Sequence, residues 1–495
     1  MKKIIIVGAG PGGLTAGMLL SHQGFDVEIF EKEDRVGGRN AAIELEGFTF
    51  DTGPTFLMMK FILDEVFDAT GRNSSDYLDF KKLDPMYRLI FADKTLDLTD
   101  DHKKMEETIA KLFPGDEEGY LRLLKKEKRR YERMYPCLQK PYHKISSLWN
   151  KDLLKAYPSL SIGKSMHDVL SGYFDDERLR ISFTFQSKYL GMSPWSCPAA
   201  FMIIPYIEHA FGIYHVKGGL SKISDAMAKV VVEEKGKIHL KSPVKDLMME
   251  EKEVKGIRLE DGSRHVADAV ILNPDFSYSV TELVDTGLLK RWSPGKLAKK
   301  NFSCSTFMLY LGLDKLYKMP HHNIIFSEDY ESYIKDIENN KDPGDDISIY
   351  IRNASVTDPS LAPAGKSNIY VLVPVTNKRS GYGWKKNKKR FRDKVIERIK
   401  QRTAMKDIDK HIVAEKIITP DDWESDYNVF LGATFNLGHD ISQMLYFRPH
   451  NKFEELGNCY LVGGGTHPGS GLPTIYESGR ITAKMIEQDM KQGSS

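Results

Sequence analysis

The first apolar run of the chain, IIIV at positions 4–7, is four residues long and stops at glycine. A short β-branched run of this kind predicts a strand buried on both faces of a parallel sheet. Two lysines precede it, but the run is too short for the apolar core of a signal peptide. Residues 14–22 read as a helix stopped near Gly24, and 25–30 as a second strand. Residues 101–135 predict charged amphipathic helices, broken by Pro114 and Gly115. Residues 220–231 predict a helix opened by Gly218 and Gly219, followed by short strands at 237–240 and 244–249. Segments 254–259 and 265–270 flank Asp261 and Gly262 as a hairpin would. Further strands are predicted at 302–313, 347–351, 368–374 and 458–462, with helices at 385–406 and 475–491. The most apolar window, 198–214, contains Pro205, Glu208 and His209 and cannot span a bilayer. No repeat or low-complexity tract interrupts this order.

The turn after the first strand carries the first chemistry. Gly8, Gly10 and Gly13 satisfy GxGxxG, with Pro11 and Gly12 between them. Gly8 makes the tight turn, Gly10 lets a pyrophosphate approach the backbone, and Gly13 lets helix and strand pack closely. The helix start offers free N–H groups and a positive dipole end to phosphate. Glu31, 23 residues after Gly8, stands at the end of the second strand and suits an adenosine ribose; Lys32 follows it.

A second glycine pair with an arginine, VGGR at 36–39, distinguishes FAD from NAD. A nicotinamide enzyme has no need of it. A longer cofactor runs on past the first loop, beside Gly38, with Arg39 pairing a phosphate or covering the flavin edge. DTGP at 51–54 closes the segment as a turn. The far end of the chain offers a second glycine-rich strand-to-helix loop at 463–474, in which Gly464, Gly465, Leu472 and Pro473 are candidate cofactor contacts. A helix start aimed at flavin N1 and C2=O favours negative charge there by about 0.5–2 kcal/mol.

Composition narrows the class without redirecting it. The 495 residues contain 71 Lys+Arg and 69 Asp+Glu, a net charge of +2, which argues against a dedicated nucleic-acid binder. The length suggests two or three domains. Cys137, Cys197, Cys304 and Cys459 form no CxxC, so a thiolate metal site or disulfide scaffold is not expected, and a reducing compartment fits.

The segments VGAGPGGLTAG (7–17), EK (31–32), VGGR (36–39) and LVGGGTHPGSGLPTIYESGRITA (461–483) resemble the bacterial-type phytoene desaturase family of carotenoid biosynthesis, which includes C30 diapophytoene desaturases. Interior segments at 185–194, 212–219, 272–275 and 356–363 agree, so the resemblance covers nearly the whole chain. One departure is His215-Val216 before Lys217, where the family often carries a proline.

The resemblance implies an α/β fold: a Rossmann-like FAD-binding domain with an interleaved α+β substrate domain, in the two-domain architecture of flavin amine oxidases and Rab dissociation inhibitors. The division implied is 1–95, 215–295 and 421–495 for the cofactor, and 96–214 and 296–420 for the substrate, with Val244 near the adenine. The expected activity is stepwise removal of hydrogen from phytoene or diapophytoene. The implied partners are a hydrophobic polyene, a membrane surface, and an electron acceptor such as quinone or oxygen.

Polyenes have no heteroatom, so no Ser-His-Asp triad or paired carboxylates are expected. Aromatic faces stabilise a delocalised cation by roughly 0.5–2 kcal/mol each. Candidates for a tunnel wall are Phe183, Phe185, Tyr189, Trp195, Phe201, Tyr206, Phe211, Tyr214, Phe307 and Tyr310. His467 is the candidate proton acceptor, and His167-Asp168 reads as a helix-start pair. Basic residues predominate over 121–165, interleaved with Tyr131, Tyr135, Tyr142 and Trp149, and again over 385–406. Anionic headgroups attract such segments at about 1 kcal/mol per charge, so the expected location is cytoplasmic, peripheral on the cytoplasmic membrane. A carotenoid isomerase or oxidase would share these motifs. A non-redox prenyl-binding escort would share the fold, but the complete phosphate loop and Glu31 favour a retained cofactor. An amine oxidase requires a polar amine site that the sequence does not offer.

Overall fold

The opening strand Lys3–Val7 lies at the centre of a five-stranded parallel sheet. Its neighbours are Asp26–Phe30 and Ala269–Leu272, and Lys237–His239 and Cys459–Leu461 form the edges. Three distant stretches of sequence therefore build one layer. In this computed structural model residues 1–492 are described, the side chains of 188, 189 and 492 excepted. Alternate side chains of the central strand point to opposite faces. Ile4 and Ile6 meet the helices Pro11–His22, Ser221–Glu233 and Leu472–Gln492. Ile5 and Val7 meet a three-stranded antiparallel sheet, Val244–Glu250, Glu253–Leu259 and Arg264–Val266. Burial on both faces explains the unbroken apolar run.

The strand expected over 265–270 divides in two. Arg264–Val266 completes the hairpin, whereas Ala269–Leu272 leaves it and pairs in parallel with Lys3–Val7. The break falls at Asp268, whose carboxylate accepts from the Lys3 backbone N–H at 2.8 Å. Ala269–Leu272 is buried at every position, which suits the central layer, whereas Arg264 and Val266 are exposed.

The second body is a seven-stranded mixed sheet in the order Ile412–Ile418, Ser305–Leu313, Ser367–Val375, Ile349–Asn353, His322–Ile325, Tyr87–Ile90, Thr95–Leu98. The boundary expected at residue 95 falls inside its terminal hairpin, because Tyr87–Ile90 pairs with both Thr95–Leu98 and His322–Ile325. Helix Trp384–Arg402 packs on the back of the sheet, where Phe307 stacks on Trp384 with ring centroids 5.4 Å apart. The interruption expected at Pro114 and Gly115 separates helices His102–Leu112 and Glu117–Leu138.

On its front face the sheet presents two cross-strand rows. One row runs Ile324, Tyr350, Leu372, Met308; the next runs His322, Arg352, Tyr370, Tyr310. The second row holds residues 51–55 against the sheet. Arg352 Nη1 donates to Asp51 at 2.6 Å, Tyr310 to the Thr52 carbonyl at 2.6 Å, and Tyr370 to the Gly53 carbonyl at 3.0 Å. Arg352 and Asp51 are 0% and 2% exposed as side chains. Removing one partner of a buried pair strands the other charge, at a cost of about 3–5 kcal/mol. Arg352→Met should therefore lower the urea midpoint by that equivalent, and adding Asp51→Asn should recover part of it; an unchanged midpoint in the single variant would remove this pair from its structural role.

Candidate active site

A cavity of about 460 Å³ lies between the carboxyl ends of the parallel strands and the front of the seven-stranded sheet. This is where an open α/β sheet places its ligand. Val7 and Gly8 follow the first strand into its wall, Phe30 and Glu31 the second, Asn273 to Asp275 the strand Ala269–Leu272, and Gly463 the last strand.

Most of the expected cofactor residues meet in this wall: Gly8, Gly10, Pro11, Gly12, Glu31, Lys32, Gly38, Arg39, Val244, Gly464, Gly465, Leu472 and Pro473 all line it. Gly13 does not. A Cβ there would stand 2.5 Å from the Gly8 carbonyl oxygen, so its role is the close packing of helix on turn. The helix Pro11–His22 starts at Gly10 with no capping side chain and no acid in its first turn. Its N-terminal dipole is left open toward the cavity. Lys32 donates to the Asp426 carbonyl at 2.8 Å, and Val244 lies with Pro243 and Glu260 in the same cavity wall.

Asn273 organises this loop and is absent from the sequence-based residue set. Register places Val7 beside Leu272, so Asn273 follows directly alongside Gly8. Its Nδ2 donates to the Gly8 carbonyl at 2.9 Å, and a Cβ at Gly10 would come within 2.9 Å of the same atom. Glu31 braces the other side: one carboxylate oxygen accepts from Ala9 N–H at 2.7 Å and the other from Glu33 N–H at 3.0 Å.

Arg39 is half-buried and donates to the Thr434 carbonyl at 2.7 Å. With its amide oriented to satisfy both partners, Asn436 accepts from Arg39 at 3.2 Å and donates to Asp275 at 2.7 Å. Burial lowers the Arg39 pKa, and Asp275 opposes that shift. Burial pushes Asp275 up to about 6, with Arg39 acting against it. Asn273 and Asp275 fall in the segment 272–275 that carried the family resemblance, but their contacts depend on a strand pairing made across the chain.

His467 is not among the residues lining the cavity. Its ring is buried, packs edge-on against Tyr142 with centroids 5.0 Å apart, and is held neutral by burial, its pKa brought down to about 3. The loop carries glycine backbone to the cavity and turns the imidazole away. This placement does not support a proton-accepting role for His467. His167 contacts Glu177, and Asp168 forms a capping box with Ser165, consistent with a helix start.

The expected tunnel aromatics are corrected as well. Phe183, Phe185, Trp195, Phe201, Tyr206, Phe211, Tyr214, Phe307 and Tyr310 are not among the cavity-lining residues, and the side chain of Tyr189 lies outside the described residues. Strand alternation puts Thr306 and Met308 in the wall and sends Phe307 to the back of the sheet. The aromatic lining comes instead from Phe56, Tyr350, Tyr370, Trp423, Tyr427 and Phe435, with Phe30 and Tyr278 on the cofactor side.

An uncapped helix start with a side-chain-free approach, a strand-end carboxylate and a half-buried arginine in the cavity wall together fit FAD. Among the described residues no cluster suits a metal ion, and no disulfide forms.

Comparison with known proteins agrees with this geometry. The family model described as Flavin containing amine oxidoreductase matches residues 11–486. The chain is 53% identical over 487 residues to a 4,4'-diapophytoene desaturase (4,4'-diapolycopene-forming) of Methylomonas sp, covering 98% of this chain and 95% of the relative. It is 35% identical to a zeta-carotene-forming phytoene desaturase of Myxococcus xanthus, covering 100% and 96%. The crystal structure of an oxidoreductase from Methanosarcina mazei superposes with a TM-score of 0.65 at 17% identity, over 98% of this chain and 100% of that one, a likeness of fold.

The glycine cradle is tested by Gly10→Val. A branched side chain at this position meets Asn273 and fills the phosphate approach, so FAD affinity should fall at least 100-fold in a fluorescence titration; a variant that retains normal flavin content would refute the assignment of this loop.

Proposed function

Because this chain belongs to the flavin-containing amine oxidoreductases and, among them, to the phytoene desaturase family, we propose that its substrate is a C30 polyene of the 4,4'-diapophytoene type. The chain is an FAD-dependent oxidoreductase acting on CH–CH bonds, a carotenoid desaturase that extends a conjugated polyene stepwise. The 53% identity to a diapophytoene desaturase favours the C30 chain length over the C40 one.

The observation that carries the reading is the contrast between the two cavity walls. Glycine loops, Glu31 and Arg39 form one, and the sheet row of Met308, Ile324, Tyr350 and Leu372 forms the other. Among the described residues the sheet wall contains no carboxylate, which disfavours recognition of an amine. FAD, when bound, is the acceptor for a hydride taken from the polyene. The residues of the chain align the reacting carbons, exclude water and present aromatic faces to positive charge, each worth about 0.5–2 kcal/mol. The five-segment division into cofactor and substrate parts is retained in this reading, with the first junction moved before Tyr87. The terminal electron acceptor is a quinone or oxygen.

We also place the protein at the cytoplasmic membrane surface. No described helix is long and apolar enough to cross a membrane. Around the short helices Ile145–Trp149 and Lys151–Ala156, Trp149 is 65% exposed and Ile162 67%, with Ile145, Leu154 and Tyr157 also exposed. Lys144, Lys151, Lys155 and Lys164 surround them in solvent. Exposed apolar side chains ringed by lysine suit an anionic bilayer surface. Arg130, expected in this patch, instead points inward and pairs with buried Glu127 at 2.7 Å. The basic helix Trp384–Arg402 is less suited, since Arg392, Lys394 and Arg398 are ion-paired with Glu415, Asp345 and Asp346.

Anaerobic incubation of FAD-loaded protein with diapophytoene and with phytoene in liposomes, followed by pigment chromatography with and without quinone, tests the reaction. Conjugated C30 product and loss of flavin absorbance are expected; no product from either substrate would refute the desaturase reading, and product from phytoene alone would overturn the C30 assignment. Trp149→Glu with Ile162→Glu should reduce sedimentation with anionic liposomes at least fivefold, while unchanged sedimentation would reject this docking surface.

A further inference from the structure

The proposed reaction removes two hydrogens, and the second leaves as a proton. Within the apolar row of the sheet wall, Tyr350 is the exception. Its hydroxyl lies 2.7 Å from His322 Nδ1 and 2.7 Å from Thr55 Oγ1. Tyr350 and Thr55 line the cavity, and His322 stands one hydrogen bond behind them. Among the described residues of the wall, Tyr350 is the one whose hydroxyl is hydrogen-bonded to an imidazole.

The surroundings keep that imidazole neutral. His322 is fully buried, which holds its pKa well below the usual histidine value, with the positive charge of Arg352 and then His215 acting in the same direction. His321 stacks edge-on at 4.4 Å between ring centroids, and the Tyr87 ring lies 5.6 Å away. Arg352 donates to His321 Nε2 at 2.9 Å and to His215 Nδ1 at 3.1 Å, while Asp51 neutralises Arg352. The guanidinium can only donate, so it takes lone pairs of His321 and His215, while His322 Nδ1 faces the Tyr350 hydroxyl. His322 Nε2 has no hydrogen-bond partner.

Resting on the desaturase reading above, we propose that Tyr350, backed by His322, accepts the proton released from the polyene. Once the hydride has left with its electron pair, the neighbouring C–H bond borders a delocalised cation and is strongly acidic. A neutral oxygen is then base enough. The C–H bond breaks and its electron pair becomes the new π bond. The proton passes to the Tyr350 oxygen as the Tyr350 proton moves to His322 Nδ1. The substrate has then lost a hydride to FAD and a proton to the imidazole, and the phenol is restored. Tyr350 is the catalytic residue of this step, and His322 is the proton reservoir behind it.

The test uses FAD-loaded protein and anaerobic diapophytoene in liposomes. Wild-type protein should lose flavin absorbance; if it does not, the desaturase reading fails, independently of this proposal. Given a reactive wild type, Tyr350→Phe should slow formation of the conjugated product about 100-fold, the scale of general-base catalysis, with the variant folded and its FAD affinity unchanged. Deuterium at the proton-losing carbon should slow the variant more than the wild type, which a merely structural role would not produce. His322→Gln keeps a hydrogen-bond acceptor without a basic site and should show the same two effects. Nitrogen NMR of labelled protein without cofactor should find His322 Nδ1 unprotonated. Wild-type rates of product formation in either folded variant, or a protonated Nδ1, would overturn the proposal.

Discussion

The buried contact between Asp51 and Arg352 sets the spacing of the two bodies. Asp51 ends the strand Phe48–Asp51, and its second oxygen accepts from the Leu220 backbone N–H at 2.7 Å, at the start of helix Ser221–Glu233. One carboxylate thus ties together an early hairpin, a central helix and a strand of the large sheet. Two buried charges gain little net stability over an apolar pair, because desolvation offsets most of their attraction. What the pair fixes is position. Tyr310 and Tyr370 extend the same grip over Thr52 and Gly53, and a Cβ at Gly53 would stand 2.9 Å from the Arg39 carbonyl oxygen. The width of the cavity between cofactor loops and sheet therefore depends on a row of polar contacts lying outside its apolar floor.

The two rows divide the work of the sheet face. Ile324, Leu372 and Met308 supply an apolar floor, while Arg352, Tyr370 and Tyr310 secure the facing segment. Tyr350 belongs by register to the first row and by chemistry to the second. A polyene gives no group for a hydrogen bond to hold, so alignment must come from wall shape. That demand explains why hydrogen bonds fasten the walls although the substrate surface offers few.

The cofactor side of the site was legible in the sequence because its chemistry is local. Gly8, Gly10, Glu31 and the 463–473 loop act through backbone approach and strand ends, and both are written in short consecutive segments. The sheet side was not legible. Ser367–Val375 is buried at every position but one, so no period-two alternation marks which residues face the cavity. Phe307 and Met308 are equally apolar, and only the pairing of Ser305–Leu313 with its neighbours decides between them. Asn273 was visible as part of a motif, but its hold on Gly8 appears only when residue 272 lies beside residue 7. His467 shows the converse: its loop brings glycine backbone to the cavity wall, but the direction of one ring within it is not a local property.

The electrostatics of the Arg39 corner give the cofactor assignment its physical basis. The half-buried Arg39 guanidinium is opposed by Asp275, whose own pKa burial raises and Arg39 draws back down. Asp275 is also committed to the N–H groups of Ser277 at 3.0 Å and Tyr278 at 3.3 Å, so its charge is shared with a helix start. The corner accordingly retains positive character, and the uncapped helix start at Gly10 adds the same sign across the cavity. A neutral ligand would leave both uncompensated. The pyrophosphate of a dinucleotide carries charge of the sign that both favour.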